Sequence, residues 1–126
     1  MTEPKGHERF FIEERVRWSD IDHARLIFYG SYLRFLEIAE VELFRAAGLP
    51  YSALFERYDI WLPRVQIHCD FVAPAVLDDL LRVEVYVGRI GRKSIQLNFE
   101  VFKIPDHTLL AKAHIIMVCV ERKGLR

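Results

Sequence analysis

A chain of 126 residues with 52% hydrophobic and 29% charged side chains has material for one buried core and too little for two ordinary domains. Eighteen basic residues balance eighteen acidic ones, which removes any general electrostatic pull toward nucleic acid or a membrane surface. No apolar run nears the roughly 18 residues of a membrane span, and the start, MTEPKGHERF, lacks the apolar stretch of a secretory signal.

A single domain spanning residues 1–126, in the cytoplasm, is the resulting expectation. The near-zero net charge also leaves little repulsion between copies of the chain. Cys69 and Cys119 stand far apart in apolar-alternating runs and read as reduced, buried thiols.

In chain order, 11–18 (FIEERVRW) places Ile12, Val16 and Trp18 on one side of an extended segment, a first strand. The stretch WSDIDHARLIFYGSY follows, with two acids one residue apart and Gly30-Ser31 at the mouth of a helix. The helical pattern covers roughly 31–47 and stops at Gly48, before Leu49-Pro50. Tyr32, Phe35, Leu36, Ala39, Leu43, Ala46 and Ala47 fill one arc of this helix, and Arg34, Glu37, Glu40, Glu42 and Arg45 mark the opposite one. Leu33, Ile38, Val41 and Phe44 are scattered among those charges, so the helix needs more cover than one sheet face provides.

Four alternating segments come next, at 64–73, 81–88, 94–101 and 109–120. The last is apolar on both sides, the mark of a central strand or of one covered twice. The links between them are short, which favours antiparallel pairing. An α+β fold, a curved antiparallel sheet wrapped around one long helix, satisfies every apolar face.

The acids precede a helix start, where unpaired N–H groups and a partial positive potential gather. Donors of that kind stabilise charge developing on a carbonyl oxygen, and a nearby carboxylate attacks the carbonyl or activates water. Spacing alone fits a simpler role equally: an acid before a helix is a common cap.

The run VRWSDIDHARLIFYGSYLRFLEIAEVELFRAAGL resembles the opening motif of the 4-hydroxybenzoyl-CoA thioesterase family of hotdog-fold acyl-CoA thioesterases. That motif has a strand ending in aromatic, x, Asp, x, Asp, then a small-residue turn, an apolar-aromatic run and a Tyr. LPRVQIHCDFVAPAVLDDLLRVEV and GRIGRKSIQLNFEVF are similar to later segments of the family in the same order, and the likeness covers about residues 12–121.

The resemblance implies a thioesterase acting on a small or medium, possibly aromatic, acyl-CoA, without a cofactor beyond the CoA of the substrate. It implies a homo-oligomer as well, a dimer or a dimer of dimers. By position, Asp22 falls on the catalytic carboxylate, base or nucleophile, and Asp20 on a structural companion. Tyr29 and Gly30 fall where backbone N–H groups polarise the thioester carbonyl. Leu62 and Pro63 fall beside the acyl pocket, and Arg92 and Lys93 on a basic pair facing CoA.

Two positions depart from the pattern. Arg25 stands where the family has Gly, with three consequences to distinguish: a reshaped loop, a plugged pocket mouth, or an ion pair with Asp22. His23 replaces a small residue or proline, beside Asp22, and is the one histidine with a candidate proton partner. The five histidines show no metal spacing, and no Gly-x-Ser-x-Gly elbow is present. The rival expectations are a hotdog protein that holds acyl-CoA without cleaving it, and a hydroxyacyl-thioester dehydratase on the same scaffold.

Overall fold

A computed structural model describes residues 9–124; His7 and the rest of the N-terminal stretch lie outside the described residues. The elements run β1 (Phe10–Arg15), α1 (Tyr32–Ala46), α2 (Tyr51–Tyr58), β2 (Ile60–Trp61), β3 (Arg64–Phe71), β4 (Leu80–Ile90), β5 (Ser94–Ile104), β6 (Thr108–Val118) and β7 (Val120–Glu121). Five strands form one sheet in the order β1-β4-β5-β6-β3, every neighbouring pair antiparallel, and β2 pairs with β7 separately.

Alternation explains the sheet. Leu81, Val83 and Val85 of β4 and Leu97, Phe99 and Val101 of β5 point inward, as do Ala111, Ala113, Ile115 and Met117 of β6, and all are buried. They close over Phe35, Leu36 and Ala39 of α1 in one continuous core. Full burial of a side chain such as Phe35 or Leu97 contributes about 1.5–3 kcal/mol, so this seam between helix and sheet dominates the stability of the fold.

Four sequence expectations change. Trp18, expected on the inner side of a first strand, lies beyond β1, which ends at Arg15, and is 77% exposed in a short 3-10 turn, Trp18–Asp20. Ala46 and Ala47, expected on the buried arc of the helix, are exposed at its C-terminal end. Cys119 is exposed and only Cys69 is half-buried, its thiol pushed up by burial and by Asp70. The largest change concerns Glu40, assigned to the polar arc but 2% exposed. It lies four residues after Leu36 and three before Leu43, so it shares the edge of the apolar face.

The strand β3 alternates as a half-buried strand would, yet Val65, Ile67 and Phe71 are all exposed. It pairs with β6 on one side and forms an edge of the five-stranded sheet. An edge strand with exposed apolar residues on it is an open template for pairing with another chain.

Candidate active site

The loop between β1 and α1 is held by its first acid. Asp20 is 3% exposed; its Oδ2 accepts the Arg17 N–H at 2.7 Å, and Arg34 of α1 grips it through Nε to Oδ1 at 2.9 Å and a second nitrogen to Oδ2 at 2.5 Å. Arg34 also reaches Glu14 at 2.5 Å and the Arg15 carbonyl at 3.3 Å, tying β1, loop and helix together. Burial opposes ionisation of Asp20, but the Arg34 guanidinium and the Arg17 amide outweigh it and hold the carboxyl below the usual range. The Asp20 carbonyl meanwhile accepts the Phe28 N–H at 2.7 Å, just ahead of the helix mouth. Asp20 therefore does the structural work that its position in the motif implied.

Asp22 is free of that network. It is exposed, and one carboxylate oxygen accepts the Ala24 N–H at 2.8 Å in a local turn. Neither acid caps α1, which begins without a side-chain cap. With Trp18, Ile21, His23 and Arg25, Asp22 lines an open depression.

Arg25 keeps the bend of the loop rather than reshaping it, and its side chain joins the rim of that depression. It adopts a left-handed backbone, φ 63°, the conformation a glycine takes without strain, and its N–H donates to the Asp22 carbonyl at 2.9 Å. The bend proper to the family's Gly is thus retained. Among the described residues the Arg25 guanidinium makes no ion pair with Asp22.

Tyr29 to Ser31 form a 3-10 turn that leads directly into α1. The first hydrogen bond of this turn runs from the Ser31 N–H to the Phe28 carbonyl at 2.8 Å, so the Tyr29 and Gly30 amides stand ahead of it without an acceptor inside the helix. Gly30 has a steric reason as well: a Cβ there would meet the Phe28 ring at 2.6 Å. Tyr29 borders a second depression, shared with Leu26, Tyr32, Phe71 and Pro74. The Tyr32 hydroxyl is buried and unpartnered among the described residues, and burial, with Cys69 nearby, pushes it up to about 12.

Other candidate residues lie farther off. Arg92 and Lys93 are exposed on the turn between β4 and β5. The link that leads into β4 touches both ends of the loop carrying Asp22, through Val16 N–H to Asp79 carbonyl at 2.9 Å and Ile27 N–H to Ala75 carbonyl at 2.9 Å. The basic pair sits at the opposite end of that strand, on the order of 30 Å away at about 3.3 Å per residue. Leu62 is buried and Pro63 exposed on the link into β3; the Leu62 carbonyl accepts from Arg64 at 2.9 Å.

Sequence reasoning missed a cluster one step beyond that link, where Glu40 meets Tyr51 and Arg64. The i+4 relation of Glu40 to Leu36 was the available signal; Tyr51 and Arg64 are too remote in sequence for any local pattern to join them.

Residues 16–126 match the model of the Thioesterase-like superfamily. The acyl-CoA thioesterase YbgC of Haemophilus influenzae is 29% identical over 112 residues, covering 89% of this chain and 81% of the relative. The 4-hydroxybenzoyl-CoA thioesterase of a Pseudomonas species is 28% identical over 120 residues, covering 91% and 85%. Among solved structures, the probable thioesterase YbaW of Escherichia coli superposes with a TM-score of 0.84 at 25% identity, over 93% of this chain and 86% of that one. Matched along nearly its whole length by thioester hydrolases of the same architecture, the chain belongs to the Thioesterase-like superfamily and is a hydrolase of the hotdog fold.

Proposed function

We propose that the chain hydrolyses an acyl-CoA thioester to free acid and CoA, in a site shared between two copies of the chain. The observation that carries this is the exposed Asp22 carboxylate, on a loop pinned through Asp20 and Arg34 to the helix whose first amides, Tyr29 and Gly30, lack helical acceptors. The names of the relatives support an acyl-CoA substrate.

The thioester oxygen would lie against the Tyr29 and Gly30 amides, where a preorganised donor contributes about 3 kcal/mol to the transition state. In one course Asp22 takes a proton from water as the oxygen adds to the carbonyl, then returns it to the departing sulfur. In the other the carboxylate adds directly, CoA leaves as thiolate, and water cleaves the resulting anhydride. Both form a C–O bond, break the C–S bond and consume one water. The left-handed backbone of Arg25, hydrogen-bonded to the Asp22 carbonyl while the guanidinium makes no ion pair with the Asp22 carboxylate among the described residues, favours a competent loop over a disabled one. Thiol release from a panel of acyl-CoAs is the test; tight binding at every acyl length with no thiol released would replace hydrolysis by a holding role.

Two features support the shared site. The separation of Arg92 and Lys93 from Asp22 along β4 supports a basic turn supplied by another copy of the chain. Charge-assisted bonds from that turn would hold the CoA phosphates. The exposed β3 edge is also contiguous with the helix mouth, since the Phe71 ring lies 6.4 Å from that of Tyr29 and 5.3 Å from that of Tyr32. Edge-to-edge pairing of β3 would cover both at once. Light scattering at micromolar concentration is expected to give a dimer or a multiple of it. Val65→Lys, at a position 59% exposed on that edge, is expected to shift the population toward monomer and lower activity with it. A monomeric wild type at full activity would refute the shared site.

A further inference from the structure

At the middle of α1, a carboxylate stands where the fold alone gives no use for one. Glu40 accepts a hydrogen bond from the Tyr51 hydroxyl and pairs with the Arg64 guanidinium. Arg64 also lies 3.3 Å from the Tyr51 oxygen and donates to the Leu62 carbonyl. Burial lowers the basicity of Arg64 and raises Tyr51 further above its ordinary range. A buried ion pair of this kind is a poor stabiliser, because desolvation offsets its Coulomb energy.

The three groups wall a cavity of about 510 Å³ whose remaining lining joins apolar Leu33, Val41, Phe55, Ile67 and Ile115 to the charged Arg34 and Glu37. This cavity follows the seam between α1 and β3, which run in opposite directions. The cavity occupies the stretch from Leu33 and Ile67 to Glu40 and Arg64, and the seam continues past it to Tyr32 and Phe71, which border the separate depression at the helix mouth. Eight residues of helix separate Tyr32 from Glu40, about 12 Å at 1.5 Å per residue. With C–C bonds of about 1.5 Å, an extended chain of roughly eight to ten carbons covers that distance.

Resting on the reading that the thioester carbonyl sits at the Tyr29 and Gly30 amides, we propose that the seam holds the acyl group. The Glu40–Tyr51–Arg64 cluster then selects acyl groups that end in an uncharged hydrogen-bonding group, such as a hydroxyl, over plain hydrocarbon tails of the same length. The charge balance narrows the class. One acid and one guanidinium leave the cluster neutral, so a hydroxyl can donate to one and accept from the other. A terminal carboxylate would find no surplus positive charge to offset its desolvation, since Arg34 and Glu37 on the same wall also balance each other.

The test compares kcat/KM of the full chain for octanoyl-CoA, its ω-hydroxy analogue and its ω-carboxy analogue. The wild type is expected to favour the ω-hydroxy ester by about tenfold or more, the scale of one hydrogen bond to a charged group, and to use the ω-carboxy ester least. The triple variant Glu40→Leu, Tyr51→Phe, Arg64→Met removes every polar member together and leaves no orphaned charge. It is expected to reverse the order toward octanoyl-CoA. Tyr51→Phe alone keeps the ion pair and is expected to lower the preference about threefold, a readout that holds if the triple variant fails to fold. A purely structural cluster would change all three rates together and leave their ratios fixed. Fixed ratios in both variants, or a wild type indifferent to the ω-hydroxyl, would overturn the proposal and mean that a neighbouring copy of the chain fills the seam. Absence of thiol release from every acyl-CoA, short ones included, would instead overturn the hydrolase reading beneath it and the proposal with it.

Discussion

Asp22→Asn is expected to lower kcat for thioester hydrolysis by about 10³-fold, the usual worth of a positioned acid–base group, with little change in thermal stability. The local geometry makes this substitution informative. Among the described residues the only hydrogen bond to the Asp22 side chain is the one from the Ala24 amide, and an asparagine oxygen accepts it equally well. Asp22→Asn therefore removes the charge and keeps the turn, whereas Asp22→Ala removes both. If the carboxylate merely shaped the loop, Asp22→Asn would resemble the wild type and only Asp22→Ala would suffer. Steady-state thiol release by the three proteins separates the two roles, and equal turnover in all of them would remove Asp22 from the chemistry.

The largest effect on stability is expected from Arg34→Ala. Asp20 is buried and its carboxylate is gripped at both oxygens by this one guanidinium, so the substitution leaves a buried charge without its partner, at a cost of about 3 kcal/mol or more. For a chain of this size the melting temperature should fall by roughly 10 °C. Adding Asp20→Asn to the Arg34→Ala protein should restore part of the loss, since the orphaned charge is then gone.

The pH dependence has a definite sign. The folded-state pKa of Asp20 lies below its unfolded value, so its contribution is fully present above about pH 4 and fades as pH falls through the folded value. The stability difference between wild type and Arg34→Ala should accordingly narrow in acid. Urea unfolding at neutral pH and near pH 3 measures it, and a difference independent of pH would show that the carboxylate is not what Arg34 serves. Activity should fall with the same substitution, because the Asp20 carbonyl receives the Phe28 amide at the entrance to the helix mouth.

The sheet and the long helix were legible because their side chains obey simple periods. Leu81, Val83 and Val85, or Leu97, Phe99 and Val101, face one core and alternate cleanly. Where burial does not follow period, side-chain pattern and packing part company. Val65, Ile67 and Phe71 alternate like core residues yet stand exposed on an edge, because alternation marks a strand with two unlike faces and not what packs against each of them. The eight residues of α2 and the two-residue strands β2 and β7 are too short to impose a pattern. Residue types also missed the two buried acids, since Asp20 and Glu40 are stabilised by arginines 14 and 24 positions away. The resemblance located the acid loop, and the conformation of Arg25 shows how the loop keeps its bend without the usual glycine.

The eleven residues of β4 that keep the basic turn apart from the acid loop have a kinetic corollary. If neither end alone grips and cleaves a CoA ester, turnover per chain is not constant at high dilution but declines once the assembly dissociates. A mixed oligomer, crippled at the loop in one subunit and at the turn in the other, would then still contain one undamaged catalytic centre.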